Sequence, residues 1–185
     1  MDQTMQDVLD FIEGRVPGVV TFLTTANARG DAYIRQVGCF VERDERGWRL
    51  GTIGRIREGD LKMRHLTHNP RATLHWVEVS GRTIGPRGAA RNVWIQGDVE
   101  LVRDQGRVEA FLARRAAARG VAPVDADYER YVIEVTPRRL RAEGFLDLYR
   151  EVLVLTDFEH PENYRSQNYR TGTAGAEVPA APPPR

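Results

Sequence analysis

Three cations lie close together at the predicted start of a short helix. Arg55 and Arg57 precede Asp60, a residue type that caps helices, and Lys62 follows it. The peptide dipoles already place partial positive charge at the first turn of a helix, so each cation there costs a few tenths to about 1 kcal/mol. A phosphate, bound by free backbone N–H groups and by basic side chains, would make the positive charge at this position favourable. The segment therefore predicts a phosphate site.

Lys62 is the only lysine among 27 basic residues. A compact ammonium in a chain that otherwise uses arginine is typical of a position that needs a point charge. The alternative is that an arginine-rich chain leaves some cations at helix starts by chance, where they stay solvated. Both interpretations remain open from the sequence, and the phosphate site is the favoured one.

The serines and histidines of the chain do not indicate a catalytic nucleophile or a metal site. The only serines are Ser80 and Ser166, and neither lies in a Gly-x-Ser-x-Gly motif. His65, His68 and His75 are spaced closely enough to suggest metal ligands, but histidines without nearby thiols or carboxylates are more typical of packing or surface positions. No phosphate-binding loop or dinucleotide fingerprint is present. An enzyme without its own nucleophile or metal commonly uses a cofactor, so a phosphate-bearing cofactor is the working hypothesis.

Composition narrows the function classes. The 185 residues carry 27 basic and 26 acidic side chains, a net charge of +1, which argues against nucleic-acid or anionic-membrane binding. Cys39 is the only cysteine, which fits a reducing compartment and excludes an internal disulfide. No apolar run approaches the roughly 18 residues of a membrane span, and the N-terminus is acidic where a signal peptide is basic. We expect one soluble, cytoplasmic domain.

The elements that must position the phosphate site alternate between strands and short helices. The short helix that begins after Asp60 must end before Asn69-Pro70. A further helix is predicted over 2–14 from the apolar stripe of Met5, Val8, Leu9 and Ile12, and another from Asp104 to Gly120. Hydrophobic alternation and turn residues predict the strands 19–25, 32–42, 48–53, 72–79, 92–102, 131–135, 140–145 and 150–155.

Mostly hairpin-ordered strands with few helices predict an α+β domain built on a closed antiparallel barrel. Gly97 interrupts an inward-facing set, as a bulge or a barrel bend would. Each tryptophan lies in a predicted strand, where packing in the core is its expected role. The Gly-rich loop 80–90 is either a surface loop or an active-site flap. We expect a domain over 1–157 and a C-terminal extension over 158–185 that is largely disordered, above all from Thr171 onward.

Four segments together resemble the flavin-binding split barrels related to pyridoxamine 5'-phosphate oxidase. The segments occur in the family's order and spacing: Gly30–Val37, Leu50–Thr52, Lys62–Arg71 and Arg91–Leu101. The resemblance covers about residues 5 to 145. It implies an antiparallel split β-barrel with short flanking helices, a homodimer with cofactor sites at the subunit interface, and FMN as the usual cofactor.

The resemblance also implies which residues hold the cofactor. Lys62 corresponds to the lysine that binds the flavin phosphate, and Asn92 stands where a glutamine usually touches the ring. The full set of implied cofactor residues is Arg35, Gln36, Val37, Gly51, Thr52, Arg57, Lys62, Arg64 and Asn92. No catalytic acid or base and no metal ligand is assigned.

Departures from the family pattern limit the predicted activity. Enzymes that oxidise pyridoxamine phosphate read Ser-Arg-Lys where this chain has Asp60-Leu61-Lys62, so one phosphate arginine is missing and Arg55, Arg57 or Arg64 would replace it. Their substrate-binding Tyr, Arg and Ser have no counterpart in 111–116, and their C-terminal Arg-Leu-His-Asp-Arg motif is absent. We therefore predict an FMN-dependent oxidoreductase of a small-molecule substrate that is not a true pyridoxamine phosphate oxidase.

Two alternatives within the fold remain open. The Lys-x-Arg-x-Leu form of the central block also resembles the branch that uses the deazaflavin coenzyme F420. A non-catalytic barrel that stores or senses flavin or haem is the second alternative, with His65, His68 or His75 as candidate haem ligands. The substrate itself is not predicted.

Overall fold

The computed structural model describes residues 1–44, 47–79, 90–122, 127–146 and 151–168. In this part of the chain, three helices pack against one antiparallel sheet of nine strands. The helices are α1 (Gln3–Ile12), α2 (Leu61–His68) and α3 (Gln105–Ala118). The strands are β1 (Val19–Ala26), β2 (Ala32–Val37), β3 (Cys39–Asp44), β4 (Gly47–Arg55), β5 (Arg71–Glu78), β6 (Asn92–Val102), β7 (Arg130–Glu143), β8 (Glu151–Leu155) and β9 (Arg165–Asn168).

The sheet has the order β2-β1-β5-β6-β7-β4-β3, and β8 joins β7 to β9. The two strands at the ends of this order, β2 and β3, follow each other in the chain through Gly38. They pair with β1 and with β4 respectively, not with each other. The α+β class and the antiparallel split β-barrel are therefore confirmed, while the closed barrel expected from the strand pattern is open between β2 and β3.

The single strand predicted over 32–42 is wrong for the same reason. Apolar and aromatic residues occur on both sides of Gly38, so this glycine is the local sign of a break. A Cβ at Gly38 would lie 3.1 Å from Nη2 of Arg115, so glycine lets this guanidinium pack against the junction.

The core lies between α1 and the inner face of the sheet. All four residues of the predicted α1 stripe are at most 2% exposed, and Asp2 caps the helix by accepting a bond from the backbone N–H of Met5. Trp48 and Trp76 are buried with them as expected, whereas Trp94 is only half-buried on the outer face. None of the helices in the described residues is long and apolar enough to cross a membrane.

Helix α3 covers the outer face of β4 and β7. It starts where predicted, since Asp104 accepts a hydrogen bond of 2.8 Å from the backbone N–H of Arg107. Phe111 packs directly on Gly51, where a Cβ would lie 2.1 Å from the ring. Glycine is therefore required at this position for α3 to approach the sheet.

Strand β7 is one continuous strand where two were predicted, over 131–135 and 140–145. In the sequence, proline at position 137 predicts the end of a strand, because it has no N–H to donate to a neighbouring strand. In the structure it lies opposite Gly97, and the register shifts there so that Arg138 is an extra residue on β7. The irregularity predicted at Gly97 is confirmed, and the bulge is what accommodates the proline.

The segment 158–168 packs against the rest of the domain. Phe158 contacts the ring of Trp48 edge-on at 5.2 Å, the Tyr164 hydroxyl donates to Asp2, and β9 pairs with β8. The sheet thus continues past the predicted boundary at residue 157. The predicted loop over 80–90, except for Ala90, and the predicted disorder from Thr171 onward lie outside the described residues.

Candidate functional site

A cleft of about 630 Å³ opens where the barrel is split. This size is within the range of roughly 300–1,000 Å³ typical of small-molecule sites. It is lined by the end of β2, the end of β4, the start of α2, the last turns of α3 and the residues before β7. Six of its lining residues are cations: Arg55, Arg57, Lys62, Arg115, Arg119 and Arg130. Asp60 is the one acidic residue among the described residues that line it.

The floor of the cleft is a free length of strand. β3 pairs with β4 only as far as Thr52, so Ile53–Arg55 have a hydrogen-bonded neighbour on one side only, which is β7. Residues 52–55 all line the cleft. An unpaired strand edge presents backbone donors and acceptors, which can bind a planar heterocycle with several polar ring atoms.

The start of α2 has the predicted helix but not the predicted backbone cradle. Asp60 caps α2, and Asn69 follows its last residue, as expected. However, Oδ1 of Asp60 accepts the backbone N–H groups of Lys62 at 2.9 Å and of Met63 at 3.4 Å. The prediction that these N–H groups would hold a phosphate is therefore wrong, because the capping side chain already uses them. These two N–H groups are unavailable to a phosphate, so its binding would depend mainly on side chains.

The second oxygen of Asp60 is also occupied. Oδ2 accepts a hydrogen bond of 2.7 Å from the hydroxyl of Tyr131, which is completely buried. Burial, and then this hydrogen bond, raise the pKa of Tyr131, so the phenol stays protonated and donates. The Tyr131 ring lies on Gly54, where a Cβ would be 2.1 Å away. Asp60 thus joins the start of α2 to β7 and has no free oxygen.

Lys62 is half-buried among other cations. Burial lowers its pKa, Asp60 raises it, and Arg35 and Arg57 lower it further by repulsion. Its Nζ lies 6.0 Å from the centre of the Tyr131 ring. Among the described residues, Lys62, Arg35 and Arg57 have no ion-pair partner. A partly desolvated cluster of like charges is unfavourable unless an anion binds to it.

The α3 side of the cleft carries cations that the sequence interpretation missed. Arg115 and Arg119 are one helical turn apart, and both line the cleft. Their spacing of four was the available signal, since residues i and i+4 share a helix face. A second missed group is Tyr128, which stacks under the guanidinium of Arg55 at 4.3 Å and that of Arg130 at 5.3 Å.

The structure brings together only some of the predicted cofactor residues. Those that line the cleft are Gln36, Val37, Thr52, Arg57 and Lys62. Gly51 faces Phe111 of α3, and Arg64 is exposed on α2. Arg35 does not line the cleft, but it is close enough to Lys62 to lower the pKa of that lysine. Asn92 is the residue that the structure places apart.

Asn92 lies on the outer face of β5 and β6. Its side chain donates to the carbonyl oxygen of Ala90 at 3.4 Å, and its proximity raises the pKa of His75, which burial lowers. His75 stacks on Trp94 with the ring centroids 4.6 Å apart, and its Nε2 is buried without a partner in the described residues. His65 is elsewhere, buried under α2 with Nδ1 3.2 Å from Oγ1 of Thr25. These two histidines therefore do not form one metal site.

Comparisons with known proteins agree with this architecture. The family model described as pyridoxamine 5'-phosphate oxidase matches residues 8–143. Comparison with curated protein sequences finds no match. Among solved structures, an FMN-binding protein from Nostoc punctiforme related to pyridoxamine 5'-phosphate oxidase is similar at a TM-score of 0.56 and 13% identity, over 88% of this chain and 93% of that one.

Two further structures share the fold at similarly low identity. General stress protein 26 of Bacillus anthracis has a TM-score of 0.53 at 13% identity, over 84% of this chain and 100% of that one. A heme-binding protein of Mycobacterium smegmatis has a TM-score of 0.50 at 18% identity, over 88% of this chain and 61% of that one. The family match spans well over half of the sequence, and the split barrel is the fold that these structures share. The chain is a member of the pyridoxamine 5'-phosphate oxidase family.

Proposed function

We propose that the protein is a flavin-dependent oxidoreductase that binds FMN in the cleft and transfers hydride between a small-molecule substrate and the flavin. The observation that carries this proposal is the group of three cations, Arg35, Arg57 and Lys62, around the start of α2. None has an ion-pair partner in the described residues, and burial lowers the pKa of Lys62. A phosphate would supply the missing negative charge.

In this proposal the side chains of Lys62 and Arg57 hold the phosphate without help from the start of α2. Val37, Thr52 and the free edge of β4 lie along the ring and provide apolar contact and backbone hydrogen bonds. Bound flavin supplies the hydride chemistry itself. The protein's own part is to position the ring, exclude water from one side of it and keep the phosphate neutralised.

The place of Asn92 supports our proposal of a homodimer. The family resemblance assigns this amide to the flavin ring, but within one chain it lies on the outer face of β6 and does not line the cleft. We propose that a second copy brings its Asn92 to the cleft. The edge strand β2 is suited to such a contact, because its Ile34 is an exposed apolar side chain, 69% accessible to solvent. Gel filtration together with light scattering tests the stoichiometry.

The cleft does not favour the reaction for which the family is named. Asp60 and Leu61 replace the Ser-Arg pair of the true oxidases, and Asp60 uses both carboxylate oxygens inside the protein. We therefore propose that purified protein does not convert pyridoxamine phosphate to pyridoxal phosphate at a useful rate. Robust formation of pyridoxal phosphate would refute this.

The coenzyme F420 is the alternative cofactor that a specific observation favours. The cleft has cations on the α3 side as well as near Lys62, and a cofactor with carboxylates in addition to phosphate would match both sides. The spectrum of the cofactor released from protein purified out of its native host separates FMN, F420 and haem. A haem spectrum would favour a non-catalytic binder, with Nε2 of His75, which has no partner among the described residues, as the group to test first.

The decisive experiment is FMN binding by a Lys62→Ala variant, measured by quenching of flavin fluorescence. Loss of a charge-assisted phosphate contact should weaken binding by about 2 kcal/mol, or about 30-fold. Lys62→Arg should retain most of the affinity, and Arg71→Ala, which removes an exposed cation outside the cleft, should retain all of it. Equal FMN affinity in wild type and Lys62→Ala would refute the proposed phosphate site.

A further inference from the structure

Arg115 differs from the other arginines of α3. Arg107 pairs with Glu100, and Arg114 pairs with Glu42. Arg115 is half-buried, its Nε is buried without a hydrogen-bond partner, and it has no ion pair in the described residues. Within Gln105–Ala118, the two solvent-facing arginines are therefore paired, while Arg115, which lines the cleft, has no counter-charge among the described residues.

The surroundings of Arg115 make the lack of a counter-charge more unfavourable. Its pKa is lowered first by burial and then by the positive charge of Arg119, and Arg130 adds to the repulsion. The thiol of Cys39 acts in the opposite direction and raises the pKa of Arg115. Burial raises the pKa of that thiol to about 12, so it is neutral near pH 7. A half-buried guanidinium without a partner, beside other cations, is rare unless a ligand supplies the charge.

The position of Arg115 fits ligand binding. Its guanidinium lies against Gly38, at the opening between β2 and β3, and both Arg115 and Gly38 line the cleft. Arg119 lies one turn further along α3 on the same side. Two guanidinium groups on one wall can bind a carboxylate or a phosphate through paired N–H donors. Lys62 on α2 and Arg57 in the loop before it form a different group of cations from Arg115 and Arg119.

We propose that Arg115 and Arg119 form a second anion-binding site, which takes a carboxylate or phosphate group on the α3 side of the cleft. The group belongs either to an acidic substrate or to an acidic side chain of the cofactor. This inference rests on the proposed function for the source of the anion. The site itself rests only on the uncompensated charge of Arg115.

The test uses inorganic phosphate as the probe, titrated by calorimetry into the full-length protein. A Lys62→Ala background removes the first site, so that remaining binding reports on α3. Adding Arg115→Gln should weaken this binding at least tenfold, and Arg119→Gln should weaken it measurably. Arg114→Gln is the matched control, because it removes the neighbouring arginine, which pairs with Glu42, and should leave phosphate binding unchanged.

Three outcomes would overturn the proposal: no phosphate binding in the Lys62→Ala background, binding that is unaffected by Arg115→Gln, or an equal loss in Arg114→Gln. Arg119 is exposed, so Arg119→Gln gives the same test if Arg115→Gln fails to fold. The outcome is independent of flavin binding, which is measured with FMN in wild type and Lys62→Ala.

The source of the anion is found with the same variants. If the acidic group belongs to the substrate, Arg115→Gln keeps the wild-type affinity for FMN and for F420, and phosphate still binds to the FMN-loaded protein. If the acidic group belongs to the cofactor, Arg115→Gln weakens F420 binding at least tenfold and leaves FMN binding unchanged. Either pattern supports an anion site on α3.

Discussion

Replacing Tyr131 by phenylalanine tests the contact that joins α2 to the sheet. The change removes one hydroxyl group and leaves the ring on Gly54. That hydroxyl donates to Oδ2 of Asp60 at 2.7 Å, and Asp60 is only 7% exposed. In the variant the carboxylate keeps its two backbone N–H donors, but its second oxygen loses the only donor found for it in the described residues.

The size of the effect follows from burial and charge. A hydrogen bond to a charged group contributes about 1.5–3 kcal/mol, and the upper part of this range applies when the remaining partner cannot reach water. We expect Tyr131→Phe to lower the free energy of unfolding by about 2–3 kcal/mol. For a domain of this size, that corresponds to a melting temperature lower by roughly 4–12 °C. FMN affinity should fall as well, since Asp60 fixes the start of the helix that carries Lys62.

Tyr164→Phe is the matched control. The Tyr164 hydroxyl donates to Asp2 at 2.6 Å, but this pair is exposed to solvent. Water can replace the lost donor there, so we expect a loss of no more than about 1 kcal/mol. Urea unfolding followed by tryptophan fluorescence measures both variants. Equal losses in the two variants, or a loss below about 1 kcal/mol for Tyr131→Phe, would refute the idea that burial of Asp60 makes the contact strong.

The sequence predicted those features of the fold that depend on neighbouring residues. The bounds of α2 were predictable because Asp60 caps the helix and Asn69-Pro70 ends it, both within a few residues. The break at Gly38 was not, since strand-forming residues lie on both sides of it. The identity of the partner strands decides that break, and pairing between distant strands leaves no local signal. The return of β9 to β8 was missed for the same reason.

In the site, too, features set by neighbouring residues could be predicted, and features set by distant strand pairing could not. The cluster of cations around Lys62 could be predicted because it is local. That Asp60 would occupy the helix N–H groups was also implicit in its capping role, but the prediction counted those groups as free. The sequence could not show that Arg114 is neutralised and Arg115 is not, because Glu42, which pairs with Arg114, is brought to α3 by the pairing of β3 with β4.

Two further predictions concern the bulge and the histidine under α2. Gly97→Ala would place a Cβ 2.3 Å from the carbonyl oxygen of Thr136, and backbone cannot move away cheaply, so we expect a loss of about 2–3 kcal/mol in unfolding free energy. Gly106→Ala, at an open position in the first turn of α3, should be neutral or stabilising in the same assay. The second prediction concerns pH. His65 is buried beside Arg35, and burial and then this charge lower its pKa below the usual 6.5. The unfolded state therefore binds more protons, so stability is complete above pH 6.5 and falls as the pH drops towards the lowered value, by at most about 1.4 kcal/mol per pH unit. His65→Gln should reduce this slope as the pH falls below about 6.5, while His75, whose pKa is also lowered by burial, still contributes to the slope. If the pH dependence of the unfolding free energy is the same in His65→Gln and in wild type, the pKa of His65 is not lowered in the folded protein. The proposed effect of burial and of Arg35 on this histidine would then be wrong.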